Sequence, residues 1–108
     1  MKIININTPL TSRELLYHLN QNLNPLFKQQ RQTDIDFKIE KVDEVVEISQ
    51  PEIYEGFLFR IEMQGNELFI TRSEHYVDDV NSLTIESILN DLFEDLAGKK
   101  GVKITLEG

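Results

Sequence analysis

The residues best suited to chemistry lie in one polar stretch, 73–81. It contains Glu74, His75, Asp78 and Asp79, so an imidazole stands close in sequence to three carboxylates. These groups exchange protons and bind divalent metals, which makes the stretch a candidate acid–base or metal site. No established ligand spacing is present, and the competing interpretation is that its Asp and Asn side chains cap the next helix. We therefore assign no catalytic and no metal-binding residue.

Other signals of catalysis or cofactor binding are weaker still. His18 has only Glu14 within helical reach, and neither Ser73 nor Ser87 lies in a nucleophile motif. The chain has no cysteine, which excludes disulfides and thiolate metal sites. No glycine-rich loop precedes a helix as a phosphate-binding loop would, so we expect no cofactor.

The net charge of the chain is −8, and it is unevenly distributed. Residues 34–98 hold 17 of the 19 acidic residues and only four of the 11 basic ones. This excess of carboxylates disfavours binding to nucleic acid or to an anionic membrane, and it favours a protein partner with a basic surface. The competing interpretation is a solvated acidic surface that keeps the protein soluble.

The acidic residues are most regularly spaced on a helix predicted over residues 82–97. Apolar residues recur there at helical spacing, and Gly98 is expected to end the helix. The outer face carries four carboxylates without a basic residue among them: Glu86, Asp91, Glu94 and Asp95. Like charges one turn apart cost a helix about 0.2–0.5 kcal/mol each, so we predict that this face binds a basic surface.

A β-hairpin over residues 55–72 is the element around which the other elements must be arranged. Apolar and polar residues alternate on both sides of Gly65-Asn66, a pair typical of a two-residue hairpin turn. Such a turn fixes the register of the two strands. The predicted cross-strand pairs are Met63 with Leu68, Glu62 with Phe69, and Ile61 with Ile70.

The two faces of this hairpin differ in character. Phe57, Phe59 and Ile61 make one face almost entirely apolar, so other elements must cover it. Leu58 and Phe69 fall on the opposite face by alternation. Unless a third element covers them, they form a small apolar patch suited to a protein partner or to a second copy of the chain.

A first helix is predicted upstream of the hairpin. Thr11 and Glu14 have the spacing of a capping box, which marks the start of the helix. Pro25 should kink the helix or divide it into two pieces, with the end near Gln30. The apolar positions fall on one face: Leu15, Leu16, Leu19 and Leu23.

Three further segments alternate as strands do. Ile4 and Ile6 mark the first, and residues 102–107 mark the last. Residues 34–49 alternate with a slip of one position, so they form either one bulged strand or two short strands. The element order is then β-α-β(β)-β-β-α-β. It predicts one α+β domain over residues 1–108, a two-layer sandwich with two amphipathic helices on one face of a mostly antiparallel sheet.

These features lead to two function hypotheses from different classes. The first is an acidic, non-catalytic module that binds or regulates another protein, with an inhibitor or a mimic of nucleic acid as its sharper form. The second is a small metal-dependent or acid–base enzyme that uses His75, Asp78 and Asp79. A homodimer through the sheet edge or the Phe69 face is also open. The first seven residues lack the apolar run of a signal peptide, so we expect a cytoplasmic protein.

Overall fold

The computed structural model describes the backbone of residues 2–5, 10–100 and 103–106, and the side chains of residues 2–5 and 10–93. Within them the strands are β1 (Lys2–Asn5), β2 (Lys38–Val42), β3 (Val45–Ser49), β4 (Phe57–Gln64), β5 (Glu67–Arg72) and β6 (Lys103–Leu106). The helices are α1 (Ser12–Arg31) and α2 (Val80–Lys100), and a short 3₁₀ turn (Glu74–Tyr76) precedes α2.

The strands form one sheet in the order β2-β3-β4-β5-β1-β6, and every pair of neighbours is antiparallel. Both helices pack on one side of this sheet, which we call the inner face; the opposite side is the outer face. The molecule is therefore an α+β two-layer sandwich, and the predicted fold class and element order are confirmed. No helix in the described part of the chain is long and apolar enough to cross a membrane.

The core lies between the helices and the inner face. Its largest fully buried side chains come from both layers: Leu15, Leu19, Leu23, Phe27, Ile85 and Phe93 from the helices, and Ile4, Ile48, Leu58, Phe59, Ile61 and Leu68 from the sheet. Burying a side chain of this size contributes roughly 1.5–3 kcal/mol before the entropy of ordering is subtracted. The inner face is therefore the main source of stability.

The hairpin of β4 and β5 has the predicted turn and register. Met63 pairs with Leu68, and Gln64 pairs with Glu67 on either side of the two-residue turn. Gly65 has a φ of 60°, a left-handed conformation that a residue without a Cβ adopts at little cost. The register carries the side chains of Leu68 and Ile70 into the core.

The predicted alternation of β4 fails at the start of the strand. Ile48 of β3 pairs with Phe59 and Ser49 pairs with Phe57, so Leu58 is an extra residue in β4. This β-bulge turns Leu58 into the core, where it is 0% exposed beside Phe59 at 1%. The prediction that Leu58 belongs to an outer binding patch is wrong. The same slip moves Phe57 out of the inner face, where it was expected.

Helix α1 begins as predicted and continues past its proline. Thr11 Oγ1 accepts from the Glu14 N–H at 3.0 Å, and Glu14 Oε1 accepts from the Thr11 N–H at 3.0 Å, which confirms the capping box. Pro25 lies inside one continuous helix, so the division into two pieces does not occur. Gln32 caps the end of the helix. It has a left-handed φ of 53°, and its N–H donates to the carbonyl of Lys28.

Residues 34–49 form two strands rather than one. β2 and β3 are joined at Asp43 and Glu44, and Asp43 takes the positive φ of 56° for which a glycine would be the usual choice. β2 starts later than predicted, because the backbone of Phe37 forms hydrogen bonds with α1 instead of with a neighbouring strand. Asn24 accepts from the Phe37 N–H at 2.8 Å and donates to the Phe37 carbonyl at 3.0 Å.

Helix α2 is longer than its sequence pattern indicates. It starts at Val80 rather than Ser82, and Gly98 lies inside it, so the prediction that Gly98 ends the helix is wrong. A glycine is tolerated within a helix at a cost of roughly 1 kcal/mol. The exposed side of the first turn is apolar, because Val80 and Leu83 are 51% and 44% exposed.

The bulge in β4 gives a direct test of the core. Leu58→Ala should lower the free energy of unfolding by about 2–5 kcal/mol, because it leaves a cavity among fully buried side chains. Leu83→Ala removes the same atoms from a half-exposed site and should change stability by less than about 0.5 kcal/mol. Urea unfolding of both variants measures the difference, and equal losses would show that Leu58 is not buried.

Candidate functional site

Asp79, predicted as a candidate metal ligand or acid–base group, caps the start of α2. Its Oδ2 atom accepts from the N–H groups of Asn81 and Ser82, both at 3.0 Å. These are two of the N–H groups that a helix leaves unpaired at its first turn. The same oxygen accepts from the hydroxyl of Tyr54 at 2.7 Å. The interpretation of this residue as a helix cap is confirmed.

Two tyrosines fix the loop before β4 to this cap. The rings of Tyr54 and Tyr76 meet edge to face with centroids 4.8 Å apart. Tyr76 Oη accepts from the N–H of Glu55 at 2.8 Å, and Asn81 Nδ2 donates to Tyr54 Oη at 3.1 Å. Burial, assisted by the neighbouring Asp79, raises the pKa of the Tyr54 hydroxyl. The Tyr54 hydroxyl is therefore protonated at neutral pH, and the hydroxyl groups of both tyrosines are already hydrogen-bonded, which indicates a structural role for this cluster.

The remaining candidate residues of this stretch do not converge. His75 and Asp78 are exposed, and His75 borders a shallow depression of about 390 Å³ whose only carboxylate is Glu55. Within the described residues, no group of three or more His, Asp or Glu side chains is placed to hold a metal ion. The structure thus brings Asp79 to Tyr54, and among the described residues no ion pair joins His75 to a carboxylate of the kind that orients a general base.

The predicted acidic face of α2 is partly neutralised from the sheet. Arg72 Nη1 lies 3.0 Å from Glu86 Oε2, and both side chains are about one-third exposed (38% and 34%). Asp91 is exposed on the same helix. The side chains of Glu94 and Asp95 lie outside the described residues. The sequence pattern missed Arg72 because this base comes from β5 and not from the helix.

No described helix packs on the outer face of the sheet. Successive side chains of a strand point to opposite faces of the sheet. The pairing register therefore places one row of directly opposite residues on the outer face. The row runs across five strands: Val42, Val45, Glu62, Phe69 and Ile3. Phe69 is half-buried here, as its predicted place on the outer face requires. Four of the five residues in the row are apolar.

The middle of this row forms a shallow depression of about 430 Å³. The lining combines three apolar side chains of the row with charged and polar residues of β3, β4, β5 and the turn between β2 and β3: Val42, Asp43, Val45, Glu47, Arg60, Glu62, Gln64, Phe69 and Thr71. Three of these side chains are acidic and one is basic. The depression is therefore apolar along one line, negative overall and open to solvent, which suits binding of a cationic, partly apolar ligand more than chemistry.

Arg60 is held at one end of the depression by two contacts. Its Nε lies 2.6 Å from Glu47 Oε2, and its guanidinium lies 4.2 Å from the centroid of the Phe57 ring. A cation over an aromatic ring contributes about 0.5–1 kcal/mol at an exposed site. The bulge that moves Phe57 to the outer face therefore also supplies the platform for Arg60.

Sequence reasoning identified Phe69 and its cross-strand partner Glu62, and it missed the rest of this surface. Val45 becomes a neighbour of Glu62 only through the pairing of β3 with β4. Their alternation in the sequence was a usable signal, but the order of strands in the sheet was not predictable from it. No protein-family model matches the chain, and neither a curated protein nor a solved structure was found to be similar to it.

The cap at Asp79 is testable against its exposed neighbour. Asp79→Ala should lower the free energy of unfolding by about 1–3 kcal/mol, because two helix N–H groups and Tyr54 lose their acceptor. Asp78→Ala makes the same change on an exposed side chain and should stay within about 0.5 kcal/mol. Thermal unfolding with and without Zn²⁺ measures both effects. A Zn²⁺-induced rise in melting temperature that both variants abolish would instead support a metal site.

The Tyr54 contact should be sensitive to alkaline pH. Tyr54→Phe should destabilise the protein by about 1 kcal/mol at pH 7, since Asp79 and Asn81 each lose a partner. The pKa of Tyr54 is raised in the folded state above its ordinary 10.0. The unfolded chain therefore loses this proton first, and the stability that Tyr54 contributes is lost as the pH rises above that ordinary value. Urea unfolding from pH 7 to about 11 should show the difference between wild type and variant shrinking; a constant difference would contradict it.

Proposed function

We propose that this protein is a non-catalytic interaction module that binds a protein partner with a basic surface through its outer sheet face. The observation that carries the proposal is the set of exposed and half-buried apolar side chains, Val42, Val45 and Phe69, on a sheet face that no described helix covers. Ile3, at the β1 end of the row, is itself buried at 8% exposed. Apolar side chains exposed together among charged residues are typical of a surface that is buried in a complex. Phe69 lies in this row and is expected to make the main apolar contact with the partner.

The charge of the outer face supports a basic partner. Among residues whose side chains are described, register and turn position assign two basic and five acidic ones to it: Lys38 and Arg60 against Glu40, Asp43, Glu47, Glu62 and Glu67. The register also places Lys103 of β6 on this face. Two of the acids are already paired, Glu40 with Lys38 at 2.8 Å and Glu47 with Arg60 at 2.6 Å. The other three carboxylates form no ion pair with any described side chain, so a cationic partner gains attraction without displacing an existing pair.

The outer face supports this proposal better than the α2 face does. Glu86 already has Arg72 as its counter-ion, and the exposed start of α2 is apolar rather than acidic. An inhibitor that occupies a basic cleft remains the sharper form of the same function. We do not propose the enzyme hypothesis further, because Asp79 is used as a cap and no described carboxylate forms an ion pair with His75.

A second copy of the chain is a poorer occupant of this face. A symmetric dimer would bring two surfaces with the same excess of carboxylates into contact, and like charges facing each other are destabilising. We expect a monomer at micromolar concentration in sedimentation velocity experiments at physiological salt. A stable dimer that Phe69→Thr dissociates would show that the face binds its own copy instead.

The proposal is tested by affinity capture from the source cells with three forms of the protein. Val45→Thr/Phe69→Thr removes the apolar row while keeping residues that favour strands. Glu86→Gln/Asp91→Asn removes charge from α2 and serves as the control. We expect a partner retained by wild type and by the α2 variant, and reduced at least tenfold with the sheet variant. Retention by the sheet variant, or no partner above bare beads, would contradict the proposed surface.

A further inference from the structure

We infer that the centre of the outer face is a binding site for one lysine or arginine side chain of the partner, with Glu62 as its counter-ion. The inference rests on the proposed function and specifies its anchor, by which we mean the basic side chain that fixes the partner to this face. The cationic group would bond to the Glu62 carboxylate, while its methylene chain would lie against Val45 and Phe69.

The register places Glu62 between two apolar side chains. Glu62 lies directly opposite Val45 on one side and opposite Phe69 on the other. Side chains directly opposite each other in antiparallel strands have Cβ atoms about 4.5–5.5 Å apart. The carboxylate therefore stands in the apolar row itself, at the depression of about 430 Å³, and it is half-buried there.

No described cation neutralises this carboxylate. The ion pairs among the described side chains involve Asp36, Glu40, Glu47 and Glu86, and none involves Glu62. Arg60 is the nearest base along β4, but it is directed the other way. It bonds to Glu47 on β3 and lies over Phe57, which precedes it in the strand, whereas Glu62 follows it.

A carboxylate in this setting matches the amphipathic shape of a lysine or arginine side chain. Such a side chain buries its methylenes along an apolar surface and keeps its charged end at a polar group. Partial exclusion of water by Val45 and Phe69 strengthens the attraction between the two charges compared with a fully solvated pair. A charge-assisted hydrogen bond also has about twice the strength of a neutral one, so Glu62 should select a cation over an uncharged polar group.

Glu67 provides a matched control for Glu62. It lies on the outer face of the same hairpin, in register with Gln64, but it does not line the depression. Glu62→Gln and Glu67→Gln each remove one negative charge and keep a side chain of nearly the same size. A loss of binding caused only by net charge would therefore be the same in both variants.

The test is selection of random dodecapeptides displayed on phage against the full-length protein. Wild type should enrich peptides with a lysine or arginine flanked by apolar residues. Synthetic copies of these peptides should bind Glu62→Gln at least tenfold more weakly, and Glu67→Gln within about twofold. They should also fail to bind Val45→Thr/Phe69→Thr. Amide shifts of Val45, Glu62 and Phe69 in NMR titrations with one such peptide would locate the site.

The possible outcomes separate this inference from the function it depends on. Peptides that require Phe69 but contain no basic residue, or that bind Glu62→Gln as well as wild type, would overturn the anchor and leave the surface intact. Equal weakening by Glu62→Gln and Glu67→Gln would reduce the site to general charge attraction and overturn the inference. Peptides indifferent to Val45→Thr/Phe69→Thr, or no enrichment at all, would overturn both the anchor and the proposed surface.

Discussion

Burial of one sheet face beneath two helices is the constraint on which the rest of this structure depends. Of the described core residues, the leucine-rich side of α1 and the apolar side of α2 supply nine and the inner face of the sheet supplies eight. The connecting segments supply Leu10, Phe37 and Tyr54. The inner face must be covered because apolar area left in water is costly. Polar contacts at its edges then orient the layers: Asn24 with Phe37, Arg72 with Glu86, and the ammonium of Lys2 with Asn90.

This one-sided arrangement leaves the outer face available for the proposed function. A strand with one buried face is expected to carry polar residues on the other, as Arg60 and Glu47 do. The row from Val42 to Ile3 departs from that expectation, since four of its five side chains are apolar. Apolar residues on a solvated strand face add little to folding, and this is the physical basis of the proposed partner. If that partner binds here, the Glu62 carboxylate favours a lysine or arginine side chain.

Much of this fold was predictable because the relevant signals are local. The capping box of Thr11 and the turn at Gly65 depend on residues a few positions apart, and both were predicted with the correct register. The failures involve contacts between distant segments. Leu58 turned inward through a bulge against β3, and Glu86 found its counter-ion on β5. For the site, alternation predicted that Phe69 faces outward, and the hairpin register paired it with Glu62. Val45 joins them only through the pairing of β3 with β4, and single-residue patterns do not encode that strand order.

The accessibility of neighbouring valines tests the open outer face most directly. Val45 and Val46 are consecutive in β3, with Val45 on the outer face and Val46 fully buried in the core. A soluble paramagnetic agent enhances the relaxation of methyl protons that solvent reaches. The methyl signals of Val45 should be strongly enhanced and those of Val46 almost unaffected. Equal protection of both valines would show that the outer face is covered, and it would remove the basis for a binding surface there.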